Sequence, residues 1–196
     1  MTERSGPTLF VISGTQGAGK STVAQLLARR FERGAWVSAD ALQKMIVSGG
    51  LWPEGVAISG AAERQLWLRL KHACLLGRSF VEAGITAVVD DIVVGSRLDE
   101  LLEHLAGARF VFVMLTPRRE VVRERERGRG TTLWEQWEWL DDEIRTKTRR
   151  LGLWLDNSDQ TPHETVDEIL ARGWTEGLVE VIPEYRHGQR ADGAVD

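Results

Sequence analysis

The chain has 196 residues, 42% of them hydrophobic, and a formal net charge of -4 at pH 7. That length suits a single domain with a sizeable core, and the acidic balance gives no general reason to expect nucleic acid or an anionic membrane as partner. The lone cysteine, Cys74, excludes an intramolecular disulfide and fits a reducing compartment.

The opening MTERSGPTLFVIS lacks the pattern of a cleaved leader, and no apolar run approaches the ~20 residues of a bilayer span. A cytoplasmic location without membrane association is therefore expected. In chain order, LFVIS (9–13) reads as a strand, and a helix is expected from Lys20 to Arg33, with Val23, Leu26, Leu27 and Phe31 at helical spacing. AWVSA (35–39) is a second strand, DALQKMIVS a short helix, and GGLWPEG a loop rich in glycine and proline. Residues 61–84 carry a long helical pattern that Gly84 ends, and ITAVVDD (85–91) is strand three. A helix over 96–107 leads to strand four, RFVFVML (109–115). Pro117 opens a charged helix to Gly128, and residues 131–152 are amphipathic, with Leu133, Trp137, Leu140 and Ile144 in register. LWLDNS (153–158) is the fifth strand and 161–173 the last helix. One domain is expected over 1–178, with a frayed or flexible tail from 179 to 196. Strands alternating with helices argue for an α/β domain with a mainly parallel sheet covered on both faces.

The stretch GTQGAGKST fits the pattern G-x-x-x-x-G-K-[ST], and it lies between an expected strand and an expected helix, as that motif requires. Gly14, Thr15, Gln16, Gly17, Ala18, Gly19, Lys20, Ser21 and Thr22 are therefore read as a nucleotide-binding loop. Glycines let successive amides point at phosphate oxygens, and the helix N-terminus adds positive potential. Lys20 would reach the β- and γ-phosphates, and the Ser21 hydroxyl would be a Mg²⁺ ligand. Asp40, just past strand two in VSAD, is placed to accept the proton of an attacking hydroxyl. It also suits the N-cap of the helix that follows.

A phosphate loop, an Asp after strand two, the acids of VVDDIVVGS closing strand three and an Arg-rich segment after strand four resemble the P-loop small-molecule kinases. Within them VSAD and VVDDIVVGS are most similar to the chloramphenicol phosphotransferase-like group, and the AAA_33-type and polynucleotide-kinase-like families are also similar. The resemblance covers roughly residues 8–173, with the phosphate loop as its most specific part. It implies a three-layer fold around a five-stranded parallel sheet, ATP and Mg²⁺ as donor, and Asp40 as catalytic base. It also implies that an acid of strand three holds the Mg²⁺ hydration shell. Neighbouring strand residues point to opposite faces, so Asp90 is expected at the metal beside Ser21. Asp91 is expected on the acceptor side or in a structural bond to the lid, the two roles exchanging if Asp91 faces the loop.

In EVVRERERGRG, Arg125 and Arg129 match the family's R-x-x-x-R-G lid, where guanidinium groups would stabilise transferring phosphoryl charge. The same alternation of Arg and Glu also describes a solvated helix face. Asn157 to Thr161 either line the adenine site or cap the last helix. Trp52 would stack on a planar acceptor or serve in packing, and the four scattered histidines lack metal-ligand spacing. The expected function is transfer of the ATP γ-phosphate to a hydroxyl of a small molecule, with an antibiotic or secondary metabolite among the candidates. The alternatives are a 5′-hydroxyl polynucleotide kinase, which would need a basic channel with stacking aromatics, and a regulatory protein that binds or hydrolyses ATP. The acceptor, the choice of ATP over GTP and the oligomeric state stay open at this level.

Overall fold

A computed structural model of the protein describes residues 6–52, 60–128, 130 and 134–183, the side chains of 134–137 excepted. The strands are β1 (Leu9–Gly14), β2 (Gly34–Ser38), β3 (Thr86–Asp90), β4 (Arg109–Leu115), β5 (Leu153–Leu155) and β6 (Leu178–Glu180). The helices are α1 (Lys20–Ala28), α2 (Ala39–Lys44), α3 (Gly60–Glu82), α4 (Arg97–His104), α5 (Arg119–Gly128), α6 (Trp134–Thr146) and α7 (Pro162–Glu176).

Five strands run parallel in the order β2-β3-β1-β4-β5. Their sequences are apolar almost throughout because both faces of the sheet are covered. Alternation then sorts the side chains. Leu9, Val11, Val89, Phe110, Phe112 and Met114 pack with Leu70, Cys74 and Leu101 of α3 and α4. Phe10, Ile12, Val88, Val111, Val113 and Leu115 pack with Leu27 of α1 and with Val166 and Ile169 of α7. Each such large side chain contributes roughly 1.5–3 kcal/mol when fully buried, so this double layer fixes where the strand ends, and the loops on them, must lie. No helix among the described residues is long and apolar enough to cross a membrane.

The five parallel strands are as expected and a sixth, antiparallel strand joins them, so residues 179–183, expected in the tail, belong to the fold. β6 runs antiparallel to Arg109–Val111, Val179 and Val181 are buried, and Glu180 pairs with Arg109 at 3.1 Å. The reason lies in the length of β5. Its three residues pair with Val113–Leu115 only, so the main-chain groups on the other half of that side of β4 need a different partner. Helix and strand ends also move: α1 stops at Ala28 instead of Arg33, and β5 at Leu155 instead of Ser158. Leu133 and residues 184–196 of the expected tail lie outside the described residues, as does the side chain of Trp137.

Candidate active site

The loop between β1 and α1 sits at the C-terminal edge of the sheet, where parallel α/β sheets bind ligands. Its glycines are demanded by space. Gly14 has φ 148°, and a Cβ there would lie 2.6 Å from the Leu115 carbonyl oxygen of β4. Gly17 has φ 77°, and its Cβ would lie 2.8 Å from Val122 Cγ1 of α5. Gly19 precedes α1 with no side-chain cap on the helix. The cleft above is lined by Gln16, Gly17, Gly19, Lys20, Ser21 and Thr22 on one side and by Asp40, Asp90 and Asp91 on the other. The Lys20 ammonium donates to the Thr15 carbonyl at 2.8 Å. Desolvation lowers its pKa, opposed chiefly by the charge of Asp90.

Asp90 and Asp91 leave β3 on opposite faces, as alternation requires. Asp90 shares the parity of Val88 and turns toward α1, where Ser21 Oγ donates to its Oδ2 at 2.7 Å. Its other oxygen accepts from the indole Nε1–H of Trp36 at 2.5 Å. Burial pushes the Asp90 pKa up, with the Ser21 and Trp36 hydrogen bonds pulling it the other way. Asp91 shares the parity of Val89 and turns toward α3 and α4. Its Oδ1 accepts from Arg69 at 2.5 Å and its Oδ2 from Arg97 at 3.2 Å. These partners belong to α3 and α4, so among the described residues Asp91 makes its structural bonds there and not to α5, which carries the expected lid arginine Arg125.

Arg69 also donates to Asp40 Oδ1 at 3.3 Å, joining Asp40 and Asp91 through one guanidinium. Asp40 does not cap α2. Ser38 is the N-cap, accepting from Ala41 N at 3.4 Å, and Asp40 stands in the first turn with its side chain 62% exposed. This leaves its carboxylate open to the cleft.

On the other side of the loop, Arg125 of α5 donates to the Ala18 carbonyl at 3.3 Å and to the Asn157 carbonyl at 2.8 Å. Asn157 is buried and its Nδ2 donates to the same Ala18 carbonyl at 3.1 Å. Both hold the loop from behind. Thr161 and Glu164 form a capping box on α7, so the segment 157–161 combines a loop contact with a helix cap. Arg129 lies outside the described residues. Trp52 is 46% exposed and is not among the described residues that line the cleft.

Two residues of the site do not stand out in the sequence. Arg69 is the one charged member of the buried stripe Leu66, Arg69, Leu70, Ala73, Cys74 on α3, and a lone Arg on a core face is the signal that could have found it. Trp36 sits two residues before Ser38 on the same strand face. The register Trp36↔Val88, Ser38↔Asp90 then puts it diagonal to the acid. That alignment is invisible until the strands are paired.

No cluster of three or more His, Cys, Asp or Glu able to hold a metal occurs among the described residues. A glycine-rich loop closing on a helix N-terminus, a half-buried lysine and a Ser–Asp pair at the tip of a neighbouring strand define a P-loop protein. A family model described as an AAA domain matches residues 11–147, and the chain belongs to that family. No curated protein matches the sequence. Among solved structures it is similar to the tunicamycin resistance protein of Deinococcus radiodurans, with 19% identity, TM-score 0.62, and 90% of this chain and 99% of that one covered. It is also similar to a Mycobacterium tuberculosis APS kinase in complex with AMPPNP and APS (17%, TM-score 0.61, 85% and 96%). A third similar structure is a gluconokinase from Sinorhizobium meliloti (24%, TM-score 0.60, 86% and 92%). The architecture is the P-loop kinase fold.

Proposed function

We propose that the protein is an ATP-dependent phosphotransferase that moves the terminal phosphate to a hydroxyl of a small molecule. The observation that carries this is the placing of Asp40 across the cleft from Lys20, Ser21 and Asp90, held by a buried arginine but open to solvent. A protein that only binds ATP as a switch does not require an oriented carboxylate there.

The residues present fit the donor. The loop has no room for side chains at Gly14 and Gly17, so main chain lines the phosphate path. Lys20 would exchange its bond to Thr15 for phosphate oxygens. Ser21 and Asp90 offer the hard oxygen donors Mg²⁺ prefers, and one or two protein oxygens completed by phosphates and water is its usual arrangement. Bound there, Mg²⁺ would supply neutralisation of phosphate charge. Asp40 accepts the proton of the acceptor hydroxyl as its oxygen forms the new P–O bond, the bond to the departing ADP breaks, and Lys20 balances charge on the phosphoryl oxygens. Arg69 keeps Asp40 turned to the acceptor, and Asp91 fixes Arg69. Arg125 belongs to the same reading as a lid residue that backs the loop here and turns to the phosphates on closure. Arg129 joins it by motif, and Trp52 only by its expected stacking on a planar acceptor, since it does not line the cleft.

The acceptor is placed among small molecules, antibiotics or secondary metabolites included. Support comes from the VSAD and VVDDIVVGS resemblance and from neighbours named as a tunicamycin resistance protein, a gluconokinase and an APS kinase. Buried Cys74 fits a cytoplasmic setting.

The test is acceptor-stimulated ADP release across antibiotics, sugars, nucleosides and 5′-hydroxyl RNA. Asp40→Asn should retain ATP binding by calorimetry while transfer falls about 10²–10⁴-fold, the range for a positioned base. Stimulation by RNA alone would replace the small-molecule reading. Basal release that no acceptor raises would leave an ATPase.

A further inference from the structure

We infer that Trp36 is a positioning residue of the metal site, orienting Asp90 toward Ser21 through its indole N–H. This rests on the reading of Ser21 and Asp90 as the oxygens that face a divalent cation. Trp36 and Ser38 project from the same face of β2, and their partners in β3 are Val88 and Asp90. Strands lie ~4.8 Å apart and two residues advance ~6.6 Å along a strand, so the Asp90 carboxylate is a diagonal neighbour that only a long side chain reaches. The indole spans that gap and ends in a donor with no acceptor capacity.

The consequence for Asp90 is a division of its two oxygens. Oδ1 is taken by Trp36 Nε1 at 2.5 Å, and Oδ2 faces Ser21 Oγ at 2.7 Å. A carboxylate held by one oxygen cannot rotate freely, so the other is presented in one direction, to the loop. Second partners of this kind set the orientation of ligands to metals and typically change metal affinity about 10–100-fold when removed. Core packing does not explain the ring. Trp36 is 40% exposed and lies on the outermost strand of the sheet. A tryptophan there is neither well buried nor required by the alternation of β2, whereas its one polar atom is fully used.

The test compares the parent with Trp36→Phe, which keeps an aromatic ring and removes the donor. Mn²⁺ binding to the protein saturated with AMPPNP is followed by electron paramagnetic resonance, with AMPPNP binding in EDTA measured separately. Trp36→Phe should weaken Mn²⁺ about 10-fold or more and leave metal-free AMPPNP affinity within about twofold. In an Asp90→Asn background the same substitution should change Mn²⁺ affinity no further, because the interaction it removes is already altered. Superimposable Mn²⁺ curves for parent and Trp36→Phe overturn the inference, as does an equal loss in both backgrounds. A parent that binds AMPPNP but retains no Mn²⁺ overturns the reading of the metal site itself. As a measurement free of substitution effects on folding, the indole N–H resonance missing from Trp36→Phe should shift in the parent when Mg²⁺ is added to the AMPPNP complex. An unmoved resonance counts against the role.

Discussion

Asp90 and Asp91 are consecutive, both buried, and surrounded by opposite chemistry. Asp91 faces two guanidinium groups, Arg69 and Arg97, and its charge is compensated inside the protein. Asp90 faces a hydroxyl and an indole, neutral donors that leave its charge without a cation in direct contact among the described residues. Burial pushes its pKa up accordingly. The same residue type thus serves architecture on the α3–α4 face and remains available to a ligand on the α1 face. The switch between the two is nothing more than strand alternation.

Of the two acids, the ion-paired Asp91 is the more costly to remove. Asp91→Ala should destabilise the protein by about 3–5 kcal/mol, the range for removing one partner of a buried ion pair and leaving the other uncompensated. Urea unfolding measures this, and a loss below about 1 kcal/mol would show that the arginines find other partners. Asp90→Asn should act in the opposite direction in EDTA. A carboxyl whose pKa is raised on folding binds more protons in the folded state than in the unfolded state. Stability therefore falls as pH rises from the ordinary carboxylate value of 3.8 through the raised one. The amide does not titrate, so the Asn variant should gain on the parent over that window and hold a higher Tm above it. Thermal melts against pH, with and without Mg²⁺ and nucleotide, check both the sign and its reversal by the ligand. A parent curve parallel to that of the variant would remove the contrast. The smallest effect belongs to an ion pair away from the strand tip. Arg30, in the turn just past α1, pairs with Asp167 of α7 with side chains 44% and 61% exposed, and Arg30→Ala should cost under about 1 kcal/mol. A larger loss in the same urea series would mean that exposed pairs matter as much here as buried ones.

Much of this contrast is legible in the amino-acid sequence. The apolar runs of β1, β3 and β4 carry their own boundaries, because both sheet faces are buried and glycine, a carboxylate or Thr-Pro ends each run. The phosphate loop announces itself for a steric reason, since only glycine fits where Gly14 and Gly17 pass β4 and α5. The opposite faces of Asp90 and Asp91 follow from the period of a strand. What sequence alone does not show depends on contacts between distant segments. Arg69 meets Asp91 from 22 positions away, and Trp36 meets Asp90 from 54. β6 escapes notice because three residues make a weak pattern, although Val179 and Val181 already alternate around Glu180. Its place is decided by the stretch of β4 that the short β5 leaves unpaired.

That arrangement beside β4 bears on how the chain is handled. A shortened version ending before Leu178 would expose the main-chain donors and acceptors of Arg109–Val111, the start of the long, almost wholly apolar strand β4. Such a row is a template for a strand from a second molecule. The expected symptom is self-association and precipitation on expression, with the phosphate loop and its chemistry untouched. Keeping residues through Pro183 leaves that row paired within its own chain.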